Sequence, residues 1–459
     1  MSPSPPTTPP PADWRKLAYD ILLIVLSPLG LLYMLWRLVV KGKSSEGMAE
    51  RFGVLPEGLA QLGRGSDPVI WVHAVSAGEV AAVEPILHEL RLAEPTARLV
   101  LSTTTPTGRA LARRKNLELD GLFYFPLDFP GISERVLNAL RPALIVVAET
   151  ELWPHLLATA RARGVRTCIV NGRISGRAFP RYRLCRPLIA WTLSQLDLLC
   201  VQSDLDRERF LALGADPARV AVLGNSKFDE NFPQVPPEET AKWRQDLGFS
   251  QDQPIFLAAS THPHEEEMVL HCFHELRARL PELGLLLAPR HPERGDAVEA
   301  LITSFGYACC RRSRGPVGES SSPGGTGVSP VRSDARAQVA LLDTIGELTR
   351  VFSVATVVFM GGSLVPVGGH NFLQPMAQRK PVVFGPYMQN SRDLTELALR
   401  EGAALQVRNG DELTETVRRL LHSETDRNLL AVKAESLLSR NAGASRAMVE
   451  RILPLLEGA

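Results

Sequence analysis

The sequence predicts an α/β protein built from two Rossmann-like, doubly wound domains. From Pro68 onward, short apolar segments rich in β-branched residues alternate with helical patterns, as in parallel sheets covered by helices on both faces. This alternation is interrupted by the proline-bearing stretch DENFPQVPPEE (229–239) and then starts again. We therefore expect an N-terminal domain over 49–228, a linker over 229–250 and a C-terminal domain over 251–459.

Each predicted domain has its own set of strand-like segments. Those of the first domain are VIWVHAV, ARLVLSTT, ALIVVAE, RTCIVNG, LLCVQS and VAVLGN, and those of the second are PIFLAAS, GLLLAPR, VALLDT, ATVVFMGG and KPVVFGP. Because open α/β sheets bind ligands outside the carboxyl ends of their strands, two such domains predict a ligand cleft between those ends. Residues 311–337, rich in Gly, Ser and Pro, are predicted to be a flexible surface insertion.

Residues 1–48 are predicted to be a membrane-associated segment. The run ILLIVLSPLGLLYMLW (21–36) is the most apolar of the chain, but it is shorter than the ~20 residues of a spanning helix and contains Ser-Pro and Gly. Basic residues flank both of its ends. A helix or bent hairpin lying in the cytoplasmic leaflet keeps both flanks beside anionic headgroups. The alternative is a helix buried in the protein core.

Composition and charge exclude several kinds of partner. Lys and Arg total 51 against 50 Asp and Glu, so the net charge of +1 gives no overall field that would attract nucleic acid. The six cysteines have no C-x-x-C spacing and are predicted to be reduced thiols. The histidines lack the H-x-x-x-H and H-E-x-x-H patterns, and no Walker motif is present, so we expect no metal site.

In the first domain, polar residues follow the ends of the predicted strands. Glu79 comes three residues after Ser76, a spacing that either caps the start of a helix or places a general base where a substrate can approach the backbone. Glu149 follows the strand-like segment LIVV, and Lys227 follows a later one. The arginine-rich segment 173–186 suits an anionic acceptor.

In the second domain, the segments AASTHPHEEE, PRHPER and GGSLVPVGGHNFLQP also follow predicted strands. The glycine-rich loop runs into a short helix near Asn371, whose free N–H groups are expected to bind a phosphate, and Arg290 adds a cation. Each motif alone has a structural explanation in a cap or a turn. Together, at strand ends in both domains, they predict one site for group transfer between a nucleotide-activated donor and an acceptor hydroxyl.

Seven motifs, in this order along the chain, resemble those of the bacterial Kdo transferases, the 3-deoxy-D-manno-octulosonic acid transferases of lipopolysaccharide assembly: SAGE, ETELWP, NGRIS, GNSKFD, ASTH, PRHPER and GGSLVPVGGHN. The resemblance runs from the apolar N-terminus to at least Pro386. It implies a two-domain GT-B fold with its N-terminus on the cytoplasmic face of the inner membrane. It also implies transfer of Kdo from CMP-Kdo to a lipid A precursor (lipid IVA), with inversion at the anomeric centre and without a metal or other cofactor.

The same resemblance implies roles for individual residues. Glu79 matches the general base that activates the acceptor hydroxyl, and Glu149 and Lys227 match positions that stabilise the transition state. The residues that match the CMP-binding positions are Pro289, Arg290, Ile345, Gly346, Glu347, Asn371, Phe372, Leu373 and Gln374.

Two positions depart from the family pattern. His264 stands where the family usually has glycine, which is expected to alter the loop after Thr261, and Gln374 stands where it usually has glutamate, which is expected to weaken or retune donor binding. Two alternative functions remain open. One is another GT-B enzyme, such as a glycosyltransferase using a UDP-sugar or a nucleotide-sugar epimerase. The other is a non-catalytic, membrane-tethered homologue that binds lipopolysaccharide.

Overall fold

A computed structural model of the protein describes residues 14–41, 46–115, 117–230, 232, 234–315 and 338–457. These residues form two compact units. The first unit comprises the described residues up to Glu230 together with those from Asn441 onward, and the second comprises the described residues between them.

The first unit is built on a parallel sheet. Its strands are β1 (Val69–His73), β2 (Arg98–Thr103), β3 (Gly121–Tyr124), β4 (Leu144–Ala148), β5 (Arg166–Gly172), β6 (Leu198–Val201) and β7 (Val220–Val222). Within the described residues they form one seven-stranded sheet in the order β3-β2-β1-β4-β5-β6-β7. The chain moves outward in one direction from β1 and in the other from β4, so these two strands flank the topological switch point.

The second unit is also built on a parallel sheet. Its strands are β8 (Ile255–Thr261), β9 (Gly284–Pro289), β10 (Cys309–Arg311), β11 (Val339–Leu341), β12 (Val357–Met360), β13 (Val382–Phe384) and β14 (Leu405–Gln406). The part of the chain that the structure describes shows them in one parallel sheet of seven strands, ordered β10-β11-β9-β8-β12-β13-β14. Here β8 and β12 flank the switch point.

Helices connect the strands, as parallel pairing requires. In chain order they are α1 (Trp14–Lys41), α2 (Met48–Arg51), α3 (Glu57–Leu62), α4 (Ala77–Ala93), α5 (Pro106–Arg114), α6 (Ile132–Leu140), α7 (Pro154–Ala162), α8 (Phe179–Leu184), α9 (Arg186–Leu193), α10 (Asp204–Leu213), α11 (Pro237–Asp246), α12 (Glu265–Arg277), α13 (Gly295–Ser304), α14 (Leu348–Val351), α15 (Leu373–Ala377), α16 (Arg392–Arg400), α17 (Gly410–His422), α18 (Glu424–Asn441), α19 (Ala444–Ile452) and α20 (Pro454–Glu457).

The central strands are buried on both faces of each sheet. In the first unit, Trp71 and Ile145 belong to one apolar cluster, whereas their neighbours Ile70 and Val146 belong to the cluster on the opposite face. All four side chains are fully buried. This alternation confirms the prediction that the apolar segments are parallel strands covered on both sides.

Helix α1 packs against α7 through its polar side chains. The Tyr19 hydroxyl donates a hydrogen bond to Asp128 Oδ2 at 3.2 Å, and Asp20 Oδ1 lies 2.6 Å from His155 Nδ1. Apolar side chains face away from the unit, and Trp14 and Val25 are 70% and 66% exposed. None of the side chains over 14–28, the part of α1 whose side chains the structure describes, is buried, which contradicts the alternative of a buried core helix for that part. The structure also has one continuous helix instead of a bent hairpin.

None of the helices in the described part of the chain combines the length and the apolar character needed to cross a membrane.

The C-terminal helix α19 belongs to the first unit, so the prediction of a single C-terminal domain over 251–459 is wrong for its last segment. Met448, Val449 and Ile452 lie in the apolar cluster on the α4 face of the first sheet. The turn before α19 is fixed by Asp229, whose carboxylate accepts from the N–H of Ser445 at 2.6 Å. An amphipathic helix pattern shows which side chains are buried, but not which sheet covers them.

Two further predicted boundaries need correction. The second unit begins within the predicted linker 229–250, since α11 lies there and packs its Trp243 side chain in a buried position. The predicted insertion 311–337 begins too early, because Arg311 ends β10 and pairs with the buried carboxylate of Asp343 at 2.7 Å. Residues 316–337 of that prediction lie outside the described residues.

The placement of α19 can be tested by truncating Met448, which is fully buried. We expect Met448→Ala to lower the free energy of unfolding by about 2–5 kcal/mol, because it leaves a cavity beside the first sheet. The matched control is Leu429→Ala on α18, whose side chain is 54% exposed. Urea denaturation followed by tryptophan fluorescence measures both. Equal, small losses in the two variants would contradict the packing of α19.

Candidate functional site

Glu79 lies in the first turn of α4, directly after the carboxyl end of β1. Its Oε2 accepts a hydrogen bond from the N–H of Val75 at 2.8 Å, and its Oε1 accepts one from the hydroxyl of Ser76 at 2.9 Å. The carboxylate therefore does satisfy a backbone donor at the helix start, which is the structural explanation drawn from its spacing. Carboxylate oxygens accept more than one hydrogen bond each, so this role leaves capacity for a substrate proton.

Glu149 follows β4, the neighbour of β1 across the switch point. Its backbone is in the left-handed region with φ 53°, an uncommon conformation for a residue with a Cβ. Its carboxylate lies between two cations, with Oε2 3.0 Å from Arg173 Nε and Oε1 3.3 Å from Lys227 Nζ. The structure thus brings Glu149 and Lys227 together, as the sequence predicted.

Lys227 is positioned by hydrogen bonds to the residue before it. The N–H of Ser226 donates to Asn171 Oδ1 at 3.1 Å, and the Ser226 hydroxyl donates to the carbonyl of Ala82 on α4 at 2.7 Å. The side chain of Asn225 accepts from the N–H of Lys227 at 3.0 Å. These contacts join the loop after β7 to the end of β5 and to the helix that carries the candidate base.

Two acids near the Glu149–Lys227 pair, Glu79 and Glu151, have pKa values above the ordinary value for a glutamate. Burial raises the pKa of Glu79; the Val75 N–H opposes this shift, and the Glu149 charge adds to it. Burial and the charges of Glu79 and Glu149 raise the pKa of Glu151 to about 7. Glu151 is the second acid of the ETELWP motif, but the sequence predicted no role for it. The signal was available in the E-T-E spacing, which places a second acid close to the first.

The predicted arginine-rich segment contributes one residue to this group, Arg173. Three other arginines, Arg177, Arg181 and Arg183, are exposed on or beside α8. Leu184 next to them is 85% exposed. The segment is therefore mostly a cationic and apolar surface and is not a part of the carboxylate cluster.

In the second unit, Glu265 organises the glycine-rich loop. Its carboxylate accepts hydrogen bonds from the backbone N–H groups of Gly362, Ser363, Leu364 and His262, at 2.7 to 2.9 Å. The prediction that the amides of this loop bind a phosphate is therefore wrong for these three loop positions, since a buried carboxylate already occupies them. The sequence suggests Glu265 as part of a helix cap, but not as the residue that binds the glycine-rich loop.

Three histidines gather at the switch point of the second sheet. His262 follows β8 and His370 follows the glycine-rich loop after β12. Their rings meet edge to edge, with centroids 5.2 Å apart, 5° between their planes and 2.9 Å between their Nε2 atoms. His291 lies edge-on to His262 at 5.7 Å. Within the described residues, no three His, Cys, Asp or Glu side chains are arranged to hold a metal ion.

The predicted CMP-binding residues follow the strands next to these histidines. Pro289 ends β9, and Arg290 is exposed with no hydrogen bond or ion pair from its guanidinium to the rest of the described chain. The Thr349 hydroxyl on α14 donates to Gln374 Oε1 at 3.2 Å, which joins the helix after the second predicted segment to the third. Thr349 was missed by sequence reasoning because no motif marks it.

Some of the predicted CMP-binding residues cannot offer their side chains to a ligand. Phe372 and Leu373 are fully buried, so a ligand can meet only their backbone. Ile345 is 67% exposed beside Gly346, which has φ 92°. Glu347 is paired with Arg312, Nη2 to Oε1, at 3.1 Å. The Asn371 side chain accepts a hydrogen bond from the N–H of Leu373 at 2.9 Å.

His264, which stands where the family usually has glycine, adopts a backbone conformation that is unfavourable for a residue with a side chain. His264 precedes α12 with φ 75°, in the left-handed region where glycine carries no steric penalty. A residue with a Cβ pays roughly 1–2 kcal/mol there. The loop keeps its shape in this protein because Glu265 fixes both the N–H of His262 and the glycine-rich loop.

The sequence is similar to the members of one known protein family. Residues 46–230 match the family model of 3-Deoxy-D-manno-octulosonic-acid transferase (kdotransferase). The whole chain is 31% identical over 445 residues to the 3-deoxy-D-manno-octulosonic acid transferase of Haemophilus influenzae, with 97% of this chain and 99% of that protein covered.

Two solved structures have the same fold at low identity. The UDP-GlcNAc 2-epimerase from Neisseria meningitidis, bound to UDP-GlcNAc, has a TM-score of 0.55 with 14% identity, covering 84% of this chain and 100% of that one. A glycosyltransferase from Rickettsia africae has a TM-score of 0.55 with 11% identity, covering 86% of this chain and 100% of that one. With the two parallel sheets, this likeness confirms the predicted GT-B fold class.

Glu151 makes the stability of the first unit depend on pH. Its pKa of about 7 in the folded protein exceeds the ordinary value of 4.5, so the folded state binds the proton more tightly between these values. The free energy of unfolding therefore falls as the pH rises from 5 to 8. We expect Glu151→Gln to reduce this fall, and the exposed Glu57→Gln to leave it unchanged. Urea denaturation at pH 5 and pH 8 measures the free energy of unfolding of each variant. If this free energy falls as much in Glu151→Gln as in the wild type, the raised pKa of Glu151 is contradicted.

Proposed function

Because the chain belongs to the 3-deoxy-D-manno-octulosonic acid (Kdo) transferase family, we propose that it transfers Kdo from CMP-Kdo to a hydroxyl group of a lipid A precursor, such as lipid IVA. As a member of this family it is a Kdo glycosyltransferase of lipopolysaccharide biosynthesis. The observation that carries the proposal is the cluster at the first switch point. There a buried acid, Glu79, stands beside the Glu149–Lys227 ion pair.

The proposed reaction is a single displacement. The acceptor oxygen forms a bond to the anomeric carbon of Kdo while the bond from that carbon to the phosphate oxygen breaks, and CMP leaves with the electron pair. Attack on the face opposite the leaving group inverts the anomeric centre. The proton of the acceptor hydroxyl passes to Glu79.

Glu79 has the properties that this step needs. Its burial raises its pKa, so the carboxylate is a stronger proton acceptor than one in water. The bonds from Val75 and Ser76 fix its orientation. A positioned carboxylate of this kind is a suitable general base for a sugar hydroxyl.

Glu149 and Lys227 supply opposite charges for the transition state. In the proposal, Glu149 stabilises positive charge that develops on the Kdo ring, and Lys227 stabilises negative charge on the departing phosphate. Internal contacts position both residues. Arg173 Nε lies 3.0 Å from the Glu149 carboxylate, Asn225 accepts from the backbone N–H of Lys227, and Lys227 Nζ lies 3.3 Å from Glu149 Oε1.

The donor is proposed to bind at the second switch point. Arg290, whose guanidinium has no partner within the described residues, provides a cation for an anionic nucleotide, so we propose a step without a metal ion. Gln374 accepts a hydrogen bond from Thr349 through its amide oxygen, as a glutamate would, and it does so without charge.

We also propose that α1 lies on the cytoplasmic face of the inner membrane. Its polar side chains contact the first unit, and its outward face carries Trp14, Leu17, Ile21, Ile24 and Val25, each more than 50% exposed. A helix with this arrangement buries apolar area when it lies in a lipid interface. The exposed arginines beside α8 suit an anionic lipid acceptor on the same grounds.

Glu79 is tested by Glu79→Gln, which keeps the acceptor for the Val75 N–H but cannot take a proton. We expect transfer to fall by about 10²- to 10⁴-fold. CMP, and not UDP, should still raise the melting temperature. Transfer is measured by mass spectrometry of a lipid A precursor incubated with a CMP-Kdo generating system. The control is Glu89→Gln on the same helix, and wild-type turnover by Glu79→Gln would refute the base assignment.

The membrane role of α1 is tested by the double variant Leu17→Gln with Val25→Gln. Two apolar side chains lost from a lipid interface are expected to weaken binding to vesicles containing anionic phospholipid by about tenfold or more. The control is Leu429→Gln with Val432→Gln, which alters two apolar side chains that are each 54% exposed on α18. Vesicle flotation measures binding. Equal binding by the two double variants would contradict the proposal.

A further inference from the structure

The glycine-rich loop of the second unit has few amides left for a ligand. Beyond the N–H groups bound by Glu265, those of Gly368 and Gly369 donate to the carbonyl of Gly362 at 3.1 and 2.7 Å. The N–H of Leu373, in the first turn of α15, donates to Asn371 Oδ1. A phosphate at this place would therefore need side-chain donors in addition to the remaining amides.

The side chains present are imidazoles. His262 and His370 share one hydrogen bond between their Nε2 atoms at 2.9 Å, and the Nδ1 atom of neither ring has a hydrogen-bond partner within the described residues. A Cβ at Gly362, where φ is 66°, would lie 3.0 Å from two ring atoms of His370. The loop is thus fitted closely around this pair of rings, which remain partly exposed.

The surroundings of the pair are cationic. Burial lowers the pKa of His370 to about 4, and Arg290, His262 and His291 act in the same direction. Burial also lowers the pKa of His262; His291, Arg290 and Arg294 add to this, and only Glu266 opposes it. Glu266 is itself paired with Arg294 at 2.8 Å. Both rings are therefore neutral at pH 7, in a place that attracts an anion.

We propose that His262 and His370 form the phosphate-binding pair of the second unit and that the pair takes up one proton when the phosphodiester of the donor binds. This inference rests on the proposed function, since it assigns the phosphate of the nucleotide-sugar to these residues. It adds two binding residues to the predicted set, and it makes donor binding dependent on pH.

The proton balance follows from the chemistry of imidazole. In the neutral pair, the ring that donates through Nε2 has a bare Nδ1, which is an acceptor and repels a phosphate oxygen. The other ring accepts through Nε2 and carries its proton on Nδ1. One added proton converts the bare Nδ1 into a donor and leaves the bond between the Nε2 atoms intact. The pair then carries one positive charge and an N–H group on each Nδ1 for the anionic oxygens.

The experiment is calorimetry of the full-length protein with the methyl ester of CMP, a phosphodiester with no titrating group near neutrality. Binding is measured at pH 7 in two buffers of different ionisation enthalpy, which gives the number of protons taken up. We expect uptake approaching one proton per ester, and an affinity that rises by up to about tenfold per unit fall in pH between 8 and 6. Cytidine, which lacks the phosphate, should cause no uptake.

The variants His262→Gln and His370→Gln keep a hydrogen-bonding side chain but cannot carry the charge. Each should abolish proton uptake and leave an affinity that no longer rises at low pH. The control is His274→Gln, an exposed histidine on α12 in the same unit. Thermal unfolding of each variant shows whether its fold is kept. The wild-type proton count tests the proposal without any variant.

The outcomes separate this inference from the proposed function. Binding of the CMP ester without proton uptake, or with uptake that survives in both histidine variants, would overturn the inference alone. Tighter binding of the methyl ester of UMP, with uptake that needs both histidines, would overturn the CMP donor and support the phosphate pair. Failure of both esters to bind would overturn both.

Discussion

The candidate functional residues of this chain depend on one constraint, the parallel pairing of the strands within each of its two sheets. Parallel strands end at the same edge, and at a switch point the loops on either side diverge and leave room for a ligand. Glu79 and Glu149 follow the two strands at the first switch point. His262 and His370 follow the two strands at the second. The same topology thus places an acid cluster in one unit and an imidazole pair in the other.

Both units also use the same local device with different results. A glutamate in the first turn of the helix after the first strand reaches back to a backbone N–H: Glu79 to Val75, and Glu265 to His262. Glu265 accepts from four amides and is fully buried, so its capacity is used up by the fold. Glu79 accepts from one amide and one hydroxyl, so it retains capacity for chemistry. The number of internal donors, and not the motif, separates the structural acid from the candidate catalytic one.

The strands were predictable from the sequence, because apolar segments of strand length that alternate with helical patterns indicate a parallel sheet. The sheet alone does not explain the approach of Lys227 to Glu149, since β5 and β6 lie between the strands that precede them, and the contact depends on the path of the loop after β7. The sequence did not predict which sheet α19 packs against, since its apolar stripe fits a sheet in either unit. The pairing of His262 with His370 was not predictable either. It depends on the path of a loop that Glu265 shapes across about a hundred residues of chain, and no local pattern records that contact.

The return of α19 to the first sheet determines how this protein can be divided. The polypeptide passes from the first unit to the second after Glu230 and passes back at Asn441. A fragment ending at Glu230 would leave uncovered the apolar surface that Met448 and Ile452 occupy, and such a surface invites aggregation. A soluble half-molecule therefore calls for a circular permutant or a short linker that restores the last helix, whereas the second unit, being continuous in sequence, can be excised with two simple cuts.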